Sequence, residues 1–311
     1  MVGESQRRYP IPAKLNLLII IAQLTALFAI FYGTSLATSW WQLLLLAGAM
    51  AIVGNSVYSI IHEAEHRMLH PNAFVNDLLG VTMAMFFPAP YHLLRQGHLC
   101  HHRFNRMDEE VFDLYFEGDI AWVKRIKFYS IITGVYWMTV VVANFVVLLL
   151  PFLLKRRFYE FDDHLASFVD NLDAKYWPLV KVEALMAIIF HTSIVLVLGI
   201  PVVSYALVYF GFGFSWSAMQ YVHHYGTERH VVRGTRNLRV SKLIDLIWLH
   251  HNWHLAHHNQ PTVPWCYLPA LGEQKESRPD FLLWHYLRMW RGPRYTDRRV
   301  QGHYVGKVTN S

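Results

Sequence analysis

The chain has 311 residues, of which 54% are hydrophobic and only 16% are charged, whereas an average soluble domain carries about 25% charged residues. The apolar residues form long runs, because residues 15–62, 128–154 and 184–227 contain no Asp, Glu, Lys or Arg. This pattern excludes intrinsic disorder and argues against a soluble globular protein. The 2 cysteines exclude a disulfide framework and an iron–sulfur cluster. The net charge of +6 suits anionic lipid headgroups or an acidic protein partner rather than nucleic acid.

The first part of the chain predicts two membrane spans followed by a shorter apolar segment. A crossing takes about 20 mostly apolar residues, and the first run breaks into one span near residues 15–32 and another near residues 40–61. Residues 78–94 are apolar but short for a crossing, and they contain two prolines. We therefore expect a re-entrant or interfacial segment there.

The next two apolar runs predict the remaining spans. Residues 128–154 form a third predicted span. Residues 182–221 would measure about 60 Å as one helix, which is too long for one crossing, and Gly199 and Pro201 are expected to kink or split it. The histidine clusters described below can share one site only on one membrane face. We therefore expect this run to make one net crossing, near residues 185–215, and to continue beyond the bilayer as a helix.

The predicted topology places Lys155, Arg156 and Arg157 on the outer face. This placement runs against the tendency of positive residues to lie in cytosolic loops. Residues 222–311 are polar and basic and are expected to form a cytosolic C-terminal region. No repeat or linker divides the chain, so residues 1–311 are predicted to form a single membrane domain.

The 19 histidines are concentrated in four short groups. Three have the forms HEAEH at residues 62–66, HLCHH at residues 98–102 and HLAHH at residues 254–258, and the sequence QYVHH occupies residues 220–224. Residues three and four apart on a helix share a face, so each group offers adjacent imidazoles. Nine imidazoles exceed what one tetrahedral zinc needs and would suit two metals with four or five nitrogens each. The nine predicted ligands are His62, His66, His98, His101, His102, His224, His254, His257 and His258.

Several neighbouring residues have alternative interpretations. His223 is an alternative to His224, because a slip of one residue turns a helix by about 100°. Gln220 either contacts a metal-bound water or forms a hydrogen bond within the site. His250 lies one turn before His254 and is expected to support a ligand. His191 lies inside an apolar run and is expected to be a hydrogen-bonded packing residue.

Carboxylates near the boxes are candidates to accept the distal N–H of a ligand imidazole. Asp108 follows the second box and Asp245 precedes the last one. Glu109 and Glu110 are expected instead on a solvated acidic face.

The boxes are similar to those of the integral-membrane fatty acid desaturase and hydroxylase superfamily, and most similar to its desaturase-like branch. The tail HNQPTVPWCYLP at residues 258–269 resembles the elements that follow the last box there, and the resemblance covers residues 55–269. It implies an all-α membrane fold with about four spans and a cytosolic helical cap. It also implies two iron ions, O2 as co-substrate and a lipid-like substrate. Gln220 stands where Asn or His is common in that superfamily.

The resemblance favours a desaturase that introduces a double or triple bond into a fatty-acyl or lipid-like chain. A hydroxylase or monooxygenase of a lipid, alkyl or carotenoid substrate would use the same ligands. A remote alternative is an intramembrane zinc protease, because residues 62–66 also match HExxH. A non-enzymatic metal or haem carrier in the membrane ranks below both.

Electrons must come from a separate donor of the ferredoxin or cytochrome b5 type with its reductase, because the sequence has no cytochrome b5 motif. An arginine cluster in the tail could dock that donor or contact lipid headgroups. Its members are Arg288, Arg291, Arg294, Arg298 and Arg299.

Overall fold

The computed structural model describes residues 8–273 and 279–301, and this part of the chain is mostly helical. Four two-residue strands form two parallel pairs, β1 with β4 and β2 with β3. The strands are β1 (Leu114–Tyr115), β2 (Leu238–Arg239), β3 (Asp280–Phe281) and β4 (Arg294–Tyr295). The α-helices are α1 (Ala13–Leu36), α2 (Trp40–Glu65), α3 (Ala73–Ala84), α4 (Tyr91–Phe104), α5 (Ala121–Ile132), α6 (Trp137–Leu149), α7 (Asp163–Asp170), α8 (Trp177–Val197), α9 (Val202–Val222), α10 (Lys242–Ile247), α11 (His254–Asn259), α12 (Leu268–Glu273) and α13 (Leu282–Met289).

Four helices among the described residues are long and apolar enough to cross a membrane. They are α1, α2, α9 and the helix Ala174–Val197, which joins a short turn to α8. Helices α1 and α2 are separated by three residues, and Ser39 caps α2 in a capping box with Gln42. The prediction of an all-α membrane protein with about four spans is confirmed.

The run at residues 128–154, the third predicted span, is not one continuous helix but a bent pair, which is either a broken span or a re-entrant segment. Its helical parts belong to α5 and α6, whose axes are bent by 101° relative to each other. Gly134 lies between them with φ +87°, a conformation that ends a helix. Helix α6 has 13 residues and is about 20 Å long, short of a hydrocarbon core of about 30 Å.

The run at residues 182–221 is split at Gly199 and Pro201, as the sequence allowed, but it forms two candidate spans rather than one net crossing. Gly199 has φ +61°, and α9 begins directly after Pro201. His191 in α8 contacts the Tyr205 hydroxyl in α9 with its Nδ1 at 2.5 Å. Residues on either side of the turn therefore lie beside each other, so α8 and α9 form an antiparallel hairpin.

The predicted re-entrant segment corresponds to α3, an irregular turn and α4. Helix α3 has only 12 residues. The turn carbonyls accept hydrogen bonds from side chains of three other helices. His191 Nε2 donates to Met85 at 2.8 Å, the Tyr209 hydroxyl to Phe86 at 3.2 Å, and Asn144 Nδ2 to Pro88 at 2.7 Å. Irregular backbone at membrane depth needs such partners, which gives His191 the hydrogen-bonded packing role expected for it.

The central pair of spans, α2 and α9, is held at close range by small residues. A Cβ atom on Gly54 of α2 would lie 2.4 Å from the Phe212 ring of α9. A Cβ atom on Gly211 of α9 would lie 2.3 Å from the Ala47 carbonyl oxygen of α2. Small residues allow helix backbones to approach closely in membranes. This contact sets the separation of the two helices whose ends carry histidine groups.

Candidate metal centre

The ends of two candidate spans carry histidine groups. Helix α2 has 26 residues, more than the about 20 that span a hydrocarbon core, and His62 and His66 lie at its C-terminal end. His224 lies two residues after Val222, the last residue of α9. The remaining histidine boxes lie on α4 and α11, outside the four candidate spans.

The nine predicted ligands converge in two groups, within each of which one potential ligand atom per residue lies within 4.8 Å of all the others. The rings of His102 and His258, one from each group, have centroids 4.3 Å apart, so the two groups adjoin. The first group contains His62, His66, His98, His102 and His257. The second contains His101, His224, His254 and His258.

The two HxxHH boxes, at residues 98–102 and 254–258, each contribute histidines to both groups. In the second box, His98 and His102 join the group of five, and His101, turned by about 100° from His102, joins the group of four. The last box exchanges these roles: its outer pair joins the group of four, and its middle histidine joins the group of five. Each of these two boxes therefore contributes imidazoles to both groups.

The ring nitrogens face one another at short range. In the group of five, His98 Nε2 lies 2.7 Å from His66 Nε2 and 3.0 Å from His102 Nε2. In the group of four, His224 Nε2 lies 3.1 Å from His254 Nε2. A central cation would satisfy several such lone pairs at once, whereas one proton can serve only one pair.

Outer hydrogen bonds set the tautomer of two rings in the group of four. His101 Nδ1 lies 2.7 Å from Glu110 Oε1, and His224 Nδ1 lies 3.0 Å from the Gly234 carbonyl oxygen. Each Nδ1–H donates outward, which leaves the Nε2 lone pair directed inward. This arrangement orients an imidazole for metal binding.

Burial keeps the clustered rings neutral, the form that binds metals. It lowers the pKa of His66 to about 3 and holds the pKa values of His98, His102 and His257 well below their ordinary value. At pH 7 these imidazoles carry no proton that a metal ion would have to displace.

The carboxylates near the site differ from those expected. Asp108 is bound by Arg229 and accepts a hydrogen bond from the Val300 amide at 2.9 Å, so it anchors the C-terminal segment. Asp245 lies 3.0 Å from His250. These contacts correct the roles expected for Asp108 and Asp245. Glu110 was expected on a solvated face. It instead accepts the hydrogen bond from His101 Nδ1.

The other predicted neighbours are placed as follows. The Gln220 side chain donates to the Trp216 carbonyl oxygen of its own helix at 3.3 Å. His223 Nδ1 donates to the Arg236 carbonyl oxygen at 3.1 Å, and its ring lies 4.8 Å from that of His254. His250 packs on the Trp265 ring at 5.5 Å, outside both groups. His224, rather than His223, is the member of the group of four.

His251 lies against the group of five, although sequence spacing did not single it out. Its ring centroid is 4.9 Å from that of His62, and burial lowers its pKa to about 4. A cavity beside these rings is lined by Ser59, Leu249 and Leu268 among others. The signal available in sequence was the run of two histidines before the last box.

The fatty acid desaturase family model matches residues 38–293. The chain belongs to the fatty acid desaturase family. Its members are membrane oxidoreductases, and the candidate spans and histidine groups agree with that assignment. A comparison with individual curated proteins gives no match.

The HExxH match at residues 62–66 belongs to the histidine group of five and not to a protease zinc site. His62 and His66 of this desaturase-family chain share their group with three further histidines, whereas a zinc protease needs one further ligand. Glu63, the base in the protease interpretation, accepts a hydrogen bond from the Trp265 amide at 3.1 Å. It therefore ties α2 to the chain after the last box.

Proposed function

We propose that this chain is an O2-dependent diiron desaturase acting on a fatty-acyl or lipid-like chain, with one iron ion in each histidine group. The observation that supports it is the convergence of nine imidazoles into groups of five and four. Imidazole nitrogen suits iron, and the inward Nε2 lone pairs fit such ions. When bound, the two ions supply the oxidant that removes hydrogen from an unactivated C–H bond.

The protein's own residues hold and shield this site. Glu110 and the Gly234 carbonyl oxygen orient His101 and His224, which fixes the direction of their lone pairs. The histidine rings are buried or half-buried, and a water-excluding site protects a reactive oxidant from side reactions. The position of the site at the ends of α2 and α9 suits a substrate that enters from the bilayer.

The overall reaction defines what the partners must provide. A –CH2–CH2– unit of the substrate loses two hydrogen atoms and becomes –CH=CH–. One O2 molecule accepts these together with two electrons and two protons, and two water molecules form. We propose that a ferredoxin or cytochrome b5 type donor with its reductase supplies the electrons on the cytosolic side, where we also place the histidine groups.

Metal content is the first test. Protein loaded with iron should hold about two irons per chain, as nine nitrogen ligands in two groups predict. His102→Ala and His258→Ala should each lower the iron content and abolish turnover. His70→Ala is the matched control, because the His70 ring accepts a hydrogen bond from the Asn72 amide in its own loop. One zinc per chain, or full turnover in either ligand variant, would contradict the proposal.

Product mass is the second test. The protein is reconstituted with a reductase, a donor and candidate lipids, and the products are analysed by mass spectrometry. Loss of two hydrogens supports desaturation. Gain of one oxygen would assign the same site to a hydroxylase and overturn the desaturase proposal.

A further inference from the structure

Helix α13 has one side packed on the protein and one bare apolar side. His285 and Met289 are buried, and the Tyr286 hydroxyl donates to the Ile132 carbonyl oxygen at 3.1 Å. The opposite side carries large apolar side chains that are 48% to 60% exposed. They are Leu283, Trp284, Leu287 and Trp290.

These four side chains occupy one sector of the helix. At 100° per residue they lie within about 120° of one another, and Arg288 and Arg291, both exposed, lie near one edge of the sector. An exposed apolar face with bordering arginines is typical of a helix that lies in a membrane interface.

Helix α5 extends the bare surface. Trp122 and Ile126 are 64% and 61% exposed, and they share a helix face with Tyr129. The Tyr129 hydroxyl donates to the Trp290 carbonyl oxygen at 3.2 Å, and the two rings lie 6.1 Å apart. The apolar faces of α5 and α13 are therefore joined.

The joined surface lies at the level of the membrane-spanning helices. Tyr286 of α13 contacts the ring of Phe214, 6.5 Å away, and Phe214 belongs to the candidate span α9 and is itself 40% exposed. The bend of 101° between α5 and α6 lets α5 lie along the bilayer surface while α6 enters it. The bare surface is thus continuous with the lipid-facing surface of the spans.

We propose that the interfacial platform, formed by Trp122, Ile126, Leu283, Trp284, Leu287 and Trp290, lies in the boundary between the headgroups and acyl chains of the bilayer. Its three tryptophans occupy the interface that this residue favours. Arg288 and Arg291 reach lipid phosphates from its edge. Lipid, rather than an electron-donor protein, covers this part of the arginine cluster.

Spin labels report the surroundings of the platform directly. Ile126→Cys and Leu287→Cys are labelled at pH 7 and studied in nanodiscs that contain anionic phospholipid. Collision with O2, which concentrates in lipid, is compared with collision with a water-soluble nickel chelate. Cys100 and Cys266 react slowly with the label, because burial raises the pKa of these thiols to about 12 and about 11. The unsubstituted protein, labelled in the same way, gives the background signal from these two cysteines.

We expect O2 collisions to exceed nickel collisions at both platform positions. Leu45→Cys on the exposed, lipid-facing side of α2 is the membrane control, and Arg298→Cys in the exposed tail is the aqueous control. A single elution peak on size exclusion verifies that each variant is folded. Nickel accessibility at residues 126 and 287 equal to that at residue 298 would overturn the proposal. So would aqueous labels that become protected only when the electron donor is added.

Discussion

A buried hydrogen-bond network around an ion pair joins the chain after the second histidine box to the end of α9. The Arg106 guanidinium contacts the Asp113 carboxylate, and the two residues are 2% and 0% exposed. The Tyr221 hydroxyl donates to Asp113 Oδ1 at 2.8 Å, and the Gly226 amide donates to Asp113 Oδ2 at 2.7 Å. Because Gly226 lies two residues after His224, this network positions a member of the group of four.

Replacement of Asp113 by Ala leaves the buried guanidinium without its counter-charge. Removing one partner of a buried pair costs about 3–5 kcal/mol. At roughly 2–4 °C per kcal/mol for a chain of this size class, the apparent Tm should fall by roughly 6–20 °C. Thermal unfolding followed by tryptophan fluorescence measures the shift, and iron content should fall with it because His224 loses its support.

Two further variants separate charge from packing. Asp170→Ala is the surface control, because the Arg156–Asp170 pair is 59% and 41% exposed, and such pairs contribute about 0–1 kcal/mol. The double variant Arg106→Met with Asp113→Leu removes both charges and should recover much of the lost stability. If Asp113→Ala lowers the Tm no more than Asp170→Ala does, the buried network does not stabilise the protein as proposed.

Three other predictions follow from particular contacts. Asn144→Leu leaves the Pro88 carbonyl oxygen without its donor and should cost about 1–3 kcal/mol of stability, whereas Thr139→Val, which loses a bond only within its own chain segment, should cost less. Burial lowers the pKa of His164 to about 4, against about 6.5 in the unfolded chain. The neutral buried ring therefore costs no stability above pH 6.5, and the free energy of unfolding falls as the pH drops from 6.5 towards 4, because the unfolded chain then binds a proton that the folded chain does not. Between pH 7 and pH 5 the metal-free His164→Phe variant should therefore lose about 2 kcal/mol less stability than the metal-free parent protein; equal losses would contradict this. Cysteine at position 156 should label from the same membrane side as cysteines at positions 103 and 233, and cysteine at position 38 from the opposite side.

Local periodicity was enough to select the histidines that the structure gathers together. Spacings of three and four residues identify shared helix faces without knowledge of the fold, and all nine selected histidines belong to one of the two groups. The division into five and four was not accessible from sequence. It depends on how α4 and α11 face each other, and hence on tertiary packing between segments more than 100 residues apart.

Carboxylate roles were less predictable, because several acidic residues follow the second box within one or two turns. Glu110 reaches His101 while Asp108 turns towards Arg229. Which of them faces the metal centre depends on the short turn at Asp108–Glu110 and on the partner that the C-terminal segment provides. Neither leaves a signal in local hydropathy or spacing.

The hairpin of α8 and α9 changes what the charge distribution means. The predicted topology used residues 128–154 as a crossing and therefore placed Lys155, Arg156 and Arg157 on the outer face. In the structure, α8 and α9 can cross out and back, so the segment between His66 and Ala174 can stay on the histidine side without any crossing by α5 and α6. The three basic residues then lie on the same membrane side as the histidine groups, which agrees with the preference of positive residues for cytosolic loops if that side is the proposed cytosolic one. Labelling of position 156 from the side of Thr38 would show instead that α5 and α6 form a broken span that crosses the membrane. Only one further crossing could then lie between Ala174 and His224, because His102 and His224 must be on the same membrane side.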